Sequence, residues 1–271
     1  MGLTKRVIPC IDVDIDDDGQ AAVYTGTNFE NLQYTGDPAE MAQRYNEAGA
    51  DEFVFLDITA SAEGRETMLD VVSSVADEVF IPLTVGGGIR TRADVKETLR
   101  AGADKVSINT GAMERPELIT EGARAFGNQC IVVSVDARRR EDDGGTHYVE
   151  TQDDGEVWWE CTVKGGREGT GRDVIEWAAE AEERGAGELF INSIDADGTR
   201  EGYDLPLLRA VCETVSTPVI ASSGCGSPQH MYEAFEVGAD AALAASIFHQ
   251  GDYSIAETKA YLADKGVPIR R

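Results

Sequence analysis

Four stretches decide the fold: EAGADEFVFLD (47–57), RAGADKVSINT (100–110), ERGAGELFINS (183–193) and EVGADAALAAS (236–246). Each reads as the end of a helix, then a glycine suited to the left-handed turn that closes it, then a short apolar strand. Gly49 and Gly102 stand 53 residues apart, as do Gly185 and Gly238, and 136 residues separate the first pair from the second. A fixed offset of this kind marks a duplicated architecture. The same offset lays IPLTVGGGI (81–89) over TPVIASSGC (217–225), with Pro82 on Pro218 and Gly88 on Gly224, and it lays Thr110 over Ser246.

Farther out, VIPCIDVD (7–14) and CIVVSVDA (130–137) are apolar runs that each end in an acid, Asp12 and Asp136, 124 residues apart. The shortfall of 12 residues predicts an insertion between Asp136 and Asp173, in ARRREDDGGTHYVETQDDGEVWWECTVKGG. Eight strands are predicted: VIPCIDV, EFVFLDI, IPLTVGG, KVSIN, CIVVSVD, ELFINSI, TPVIASS and AALAASI. A helical segment follows each. Thr91 and Asp94 form a capping box, and Ser227 before Pro228 reads as a cap preceding a proline at the first helical position. Eight βα units in 271 residues specify an α/β fold, a single (β/α)8 TIM barrel with an internal two-fold half-barrel repeat, spanning 1–271 as one domain. The rival, a doubly wound open sheet, lacks its GxGxxG after the first strand.

Composition narrows the function. Apolar residues are 42% of the chain, enough for a core. No run reaches the ~18 apolar residues of a membrane span, and MGLTKRVIPC has no apolar signal-peptide core. The expected address is cytoplasmic. Five cysteines without a CxxC spacing argue against a disulfide framework or zinc knuckle, and Cys10 and Cys130 read as small core residues in strands. With 50 acids against 24 bases, the net charge of −26 makes nucleic acid and anionic membranes poor partners. Adaptation to molar salt, where the Debye length is about 3 Å, fits that charge.

In such a barrel the active site lies where strands end. Asp12 and Asp136 are related by the repeat, so they are expected on opposite sides of one mouth, able to divide acid and base duties. The bland alternative has each capping a loop or pairing with a base such as Arg138. Gly86-Gly87-Gly88 and Asn109-Thr110 end the third and fourth strands, and Ser222-Ser223-Gly224 and Ala245-Ser246 end the seventh and eighth. Small residues there let backbone N–H groups hold phosphate. Two symmetric copies imply a ligand with a phosphate at each end and its middle over the two acids. DIDDDGQAAVYTGTNFENLQYTG (14–36) has the length of a lid, with a disordered acidic excursion as the alternative. In SIDADGTREG (193–202), Asp195 and Asp197 lack a nearby histidine and a calcium-loop spacing, so no metal is expected. His249 follows the eighth strand and is a candidate helper at the mouth. At the other end, Arg6, Glu52, Lys105 and Glu188 open strands and read as a ring of alternating charge closing the barrel floor.

Together these residues closely resemble one family, the cyclase subunit of imidazole glycerol phosphate synthase. The resemblance runs through KRVIPCIDV, GTNFENL, DEFVFLDITAS, VGGGI, GADKVSINT, RGAGELFINSIDADGT, GYDL and EAFEVGADAALAASIFH. It implies a bisphosphorylated ribulosyl-formimino aminoimidazole carboxamide ribonucleotide as substrate. Ammonia attack, a lyase step and ring closure would yield imidazole glycerol phosphate and aminoimidazole carboxamide ribotide. By the resemblance, Asp12 and Asp136 would be the general base and acid, in either order. Gly88, with Gly87 beside it, Asn109 and Thr110 would hold one phosphate. Asp197, Gly198, Ser222, Ser223, Gly224 and Ser246, with Ala245, would line the other half. No metal or organic cofactor is implied. A glutaminase subunit would dock at the N-terminal face and feed ammonia through the gate formed by Arg6, Glu52, Lys105 and Glu188. The chain departs from the family in VYTG, with Thr25 where a lysine is usual, and in ASSG, with Ser223 in place of a glycine. Two alternatives remain: the related isomerase of the preceding step, which needs no ammonia gate, and a non-catalytic barrel that only binds a phosphorylated metabolite.

The charge balance generates a first prediction. The thermal unfolding midpoint rises between low salt and molar KCl, because screening removes the self-repulsion of the surface acids. A midpoint that stays flat or falls would count against salt adaptation.

Overall fold

Strands buried on both faces need near-continuous apolar runs. RVIPCIDVDI and IVVSVDARRR satisfy this, and both are strands in the computed structural model, which describes residues 3–15, 21–27, 30–58, 65–151 and 155–270, and within these not the side chains of 25–35 and 65–67. The strands are β1 (Arg6–Ile15), β2 (Ala21–Thr27), β3 (Glu30–Gly36), β4 (Phe53–Asp57), β5 (Leu83–Gly86), β6 (Lys105–Ile108), β7 (Ile131–Arg140), β8 (Val149–Thr151), β9 (Gly155–Val163), β10 (Glu168–Asp173), β11 (Glu188–Ser193), β12 (Val219–Ser222) and β13 (Ala241–Ala244). The helices are α1 (Pro38–Glu47), α2 (Arg65–Glu78), α3 (Arg92–Arg100), α4 (Thr110–Glu114), α5 (Glu117–Phe126), α6 (Val174–Arg184), α7 (Leu205–Thr214), α8 (Pro228–Glu236), α9 (Ser246–His249) and α10 (Ile255–Asp264).

Eight strands pair in parallel and close on themselves in the order β1-β4-β5-β6-β7-β11-β12-β13, with β13 back on β1. These are the eight predicted strands, and the architecture is a (β/α)8 barrel. Gly49, Gly102, Gly185 and Gly238 all have positive φ, between 82° and 119°, which ends each helix and turns the chain into the next strand. The Thr91–Asp94 capping box is present. Ser227 occupies the cap position of α8, but its side chain makes no capping bond. No helix among the described residues is long and apolar enough to cross a membrane.

Alternation sorts the side chains into two compartments. Val7, Ile11, Phe53, Phe55 and Val133 face the helices in the large core. Ile8, Cys10, Val54, Val132, Phe190, Ile220, Ala241 and Leu243 form a separate cluster inside the barrel. Cys130 is not in a strand: it ends the one-turn 3-10 helix Asn128–Cys130 and is half-buried, because the chain still turns there before β7 begins.

Two antiparallel hairpins extend the barrel above its rim. The described part of the first long loop is β2–β3, joined to β1 from Asp12↔Tyr24 onward, so its backbone is tied into the sheet. Its acidic run at 16–20 lies outside the described residues, as do residues 28–29 of GTNFENL and 59–61 of DITAS. The predicted insertion contributes β8, β9 and β10, with β9 antiparallel to β7 from Asp136↔Thr162 onward. Trp159 is 1% exposed and donates from Nε1 to Asp204 Oδ2 at 2.9 Å, which holds this hairpin against the loop before α7.

At the floor, Arg6 Nη1 lies 2.6 Å from both Glu52 Oε1 and Glu188 Oε1, and Lys105 Nζ lies 3.0 Å from Glu52 Oε2 and 3.1 Å from Glu188 Oε2. Four alternating charges thus close a ring in which every charge touches two partners. Burial works against the Arg6 cation, but Glu188 and Glu52 outweigh it and hold its pKa above the ordinary value. Breaking such a ring strands buried charge. Glu188→Gln is expected to lower stability by about 3 kcal/mol in urea unfolding. Glu168→Gln, at the exposed Lys164–Glu168 pair, is expected to cost under about 0.5 kcal/mol. Equal effects would show that the ring carries no special burden.

Candidate active site at the barrel mouth

The inward positions of β1 are Ile8, Cys10 and then Asp12, and those of β7 are Val132, Ser134 and then Asp136. The two acids therefore occupy the inward positions next above the apolar cluster on opposite strands of the barrel. Asp12 is half-buried and Asp136 is 9% exposed. Burial, with the negative Asp197 nearby, raises the Asp12 carboxyl to about 7. Burial raises Asp136 to about 6; amide donors on Asn192 and Asn109 pull it down, and Asp197 pushes it up. Both values lie in the range where a carboxyl group can take and return a proton near neutrality. Asp197 sits in the β11–α7 loop, close enough to act on both acids.

Asp136 does not pair with Arg138. The Arg138 guanidinium turns away to donate to the Gly166 carbonyl. Asn192 Nδ2 instead donates to Asp136 Oδ1 and to Ser134 Oγ, at 3.0 Å each. The sequence reading missed Asn192. Its available signal was a lone amide at an inward strand position, beside the strand that ends in Asp136.

The two glycine and serine loops repeat each other in backbone as well as sequence. Gly87 and Gly88 have φ of 107° and 62°, and their counterparts Ser223 and Gly224 have 70° and 86°. Each loop presses on the loop before it: a Cβ on Gly87 would lie 2.2 Å from the Asp57 carbonyl oxygen, and one on Gly224 would lie 2.1 Å from that of Gly202. Asn109 and Ala245 precede the short helices α4 and α9, which begin at Thr110 and Ser246. Ser222 ends β12 and is buried, and Gly198 follows Asp197 with φ of 71°. Thr110 Oγ1 accepts from Lys164 N at 3.2 Å, so the inserted hairpin reaches this loop.

His249 is not at the mouth. Its Nδ1 lies 2.5 Å from the Tyr45 hydroxyl of α1, in the strand–helix layer, and burial together with Arg44 lowers its pKa to about 4. Residue 249 ends α9, and that turn carries the ring outward, behind β1. Thr25 lies in β2, and its side chain is outside the described residues. Among the described residues no cluster of three or more histidines, cysteines or carboxylates has metal-binding geometry.

Comparison with known proteins shows the family. Residues 6–254 match the family model described as histidine biosynthesis protein. The chain is 78% identical to the imidazole glycerol phosphate synthase subunit HisF of Haloarcula marismortui and 76% identical to that of Natronomonas pharaonis, covering all of each chain. It is 54% identical to the HisF subunit of Methanosarcina acetivorans, over 99% of both chains.

Ser223 is the one non-glycine in these two loops with a left-handed backbone, and a Cβ there is strained. Ser223→Gly is expected to raise stability by about 0.5–1 kcal/mol, after allowing for the added freedom of glycine in the unfolded chain. Thermal or urea unfolding tests this, and destabilisation would mean that the serine side chain is needed where it stands.

Proposed function

The chain belongs to the histidine-biosynthesis family of imidazole glycerol phosphate synthase HisF subunits, and from that premise we propose a mechanism for its cyclase activity. Its substrate is the bisphosphorylated ribulosyl-formimino aminoimidazole carboxamide ribonucleotide. Ammonia adds to the ribulosyl carbonyl, a lyase step releases aminoimidazole carboxamide ribotide, and ring closure gives imidazole glycerol phosphate. One observation carries the reading: Asp12 and Asp136 stand on equivalent strands where each passes from the barrel into its hairpin, face one mouth, and both have carboxyl groups raised toward neutrality. One takes a proton as nitrogen adds while the other supplies one to the departing group. The repeated backbone of the loops at Gly87–Gly88 and Ser223–Gly224, with Asn109–Thr110, Ser222 and Ala245–Ser246 beside them, supports a ligand with a phosphate at each end, with Asp197 and Gly198 lining the mouth between. Backbone and hydroxyl donors suit this task in a chain of net charge −26, because they act locally.

Ammonia enters from the floor, delivered by a glutaminase subunit on the N-terminal face. Three features support this. The ring of Arg6, Glu52, Lys105 and Glu188 closes that end with groups that can separate as pairs. The Thr84 hydroxyl, in register with inward-facing Val54 and Lys105, is buried without a hydrogen-bond partner, and a small polar guest would relieve it. Leu3 and Phe80, each 88% exposed, precede β1 and β5 and so stand on the same face. The reaction belongs in the cytoplasm, with its metabolites.

Given the ribulosyl nucleotide and an ammonium salt at high pH in molar KCl, the protein is expected to form both products. Asp12→Asn and Asp136→Asn should each lower the rate by at least ~100-fold with substrate binding intact. With the glutaminase subunit present, Phe80→Asp should depress glutamine-driven turnover and spare ammonium-driven turnover. Isomerisation without ammonia consumption would move the reading to the isomerase, and full activity of both Asn variants would remove the acid–base pair.

A further inference from the structure

The duplication that makes the barrel also makes its two acids equivalent in backbone, yet their surroundings differ at three equivalent positions. In register with Asp136 on β11 is Asn192; in register with Asp12 on β4 is Leu56, its counterpart 136 residues earlier. Asn109, at the end of β6 on the other flank of Asp136, corresponds to Ala245 at the end of β13 beside Asp12. One inward step below each acid, Ser134 corresponds to Cys10. Thus an amide, an amide and a hydroxyl surround Asp136, where an isobutyl group, a methyl group and a thiol surround Asp12.

We propose that Asn192, with Asn109, is a positioning residue that breaks the two-fold symmetry of the site by orienting the Asp136 carboxylate and setting its ionisation apart from that of Asp12. The claim deepens the proposed function and rests on it for its catalytic meaning. A carboxylate only accepts hydrogen bonds, so the Asn192 amide must turn its nitrogen to Asp136 Oδ1, at 3.0 Å, and the second 3.0 Å bond, to Ser134 Oγ, pins it there. Two amide donors favour the charged form of Asp136. Leu56 and Ala245 offer Asp12 no side-chain donor. Asp136 is therefore the first of the two to ionise, and Asp12 keeps its proton to a higher pH.

Other charges around Asp136 do not account for the difference. Asp197 of the β11–α7 loop disfavours the ionised form of both acids. On β9, Cys161 is held as the neutral thiol, chiefly by burial, and the carboxylate of Glu160 is taken up by Gly171 N. Arg138, on β7 with Asp136, is engaged with Gly166, and Lys105 and Glu188 on β6 and β11 are committed to the floor ring.

The test uses Asn192→Leu, which installs the residue found in the other half, and Asn192→Ser, which keeps a donor. In the ammonium-driven reaction, Asn192→Leu should move the acidic limb of the kcat/KM pH profile up by about one pH unit and lower kcat near neutrality about tenfold, with KM changed less than about threefold. Asn192→Ser should recover part of the shift. Carbon-13 titration of the Asp136 carboxyl in the free protein should show the same upward move, and Leu56→Asn should lower the titration midpoint of Asp12. The proposal is overturned if Asn192→Leu, folded by its unfolding midpoint, leaves the limb and the Asp136 titration in place, even where kcat falls. The titration needs no turnover, so loss of the cyclase reading and loss of this one are separate results.

Discussion

A closed parallel barrel forces every second residue of its strands into a space sealed from bulk water, and the rest of this protein follows from that constraint. Whatever the strands place at those positions must satisfy itself there. At the floor the strands place charge, and the charge survives because Arg6, Glu52, Lys105 and Glu188 neutralise one another in a ring. One level up, Ile8, Val54, Val132, Phe190 and Ile220 fill the interior with apolar bulk. At the rim the same files carry Asp12 and Asp136, where burial against the apolar layer beneath raises both carboxyl groups toward neutrality. The chemistry at the top is thus prepared by the packing below it.

Duplication supplied the scaffold, and substitution within the duplicate supplied the difference. The backbone at Gly87–Gly88 and at Ser223–Gly224 is left-handed in both halves, and each loop lies against the preceding one too closely for a side chain at Gly87 or Gly224. Ser223 carries a Cβ in that conformation, which marks this half as having diverged in sequence under an unchanged backbone. The hairpins follow the same logic. β2 leaves β1 at Asp12 and β9 leaves β7 at Asp136, so each acid stands at the foot of an antiparallel extension. The second hairpin is fastened by Trp159 to Asp204, and its turn is tied to the site through Lys164 and Thr110.

The surplus of acid over base, net −26, sits uneasily with the proposed phosphate-bearing ligand only if charge is averaged over the molecule. The groups at the mouth that we propose hold it are backbone amides and hydroxyls near the ends of strands, and such donors act over a few ångströms, well inside the screening length at physiological salt. Surface acids farther away shape solubility and salt response, and site donors shape recognition. The two operate on different length scales in one chain.

Spacing in the sequence determined the eight strands, their grouping into halves, the glycines that end the helices, and the placing of Asp12 and Asp136 at related strand ends. These features repeat along the chain and depend only on local pattern, so a linear reading reaches them. The mutual pairing in the floor ring was legible too, because its four members open strands. Other features were decided only by tertiary structure. The lid-length loop was tied into the sheet as β2–β3, the insertion became a packed hairpin, Cys130 fell in a turn, and His249 swung behind β1 to meet Tyr45. Asn192 acquired its role only when β11 closed beside β7 and brought residues 56 positions apart within 3.0 Å. Periodicity fixes which face of a strand a residue takes, but which neighbours meet it there depends on the register and closure of the sheet, and those are properties of the whole barrel.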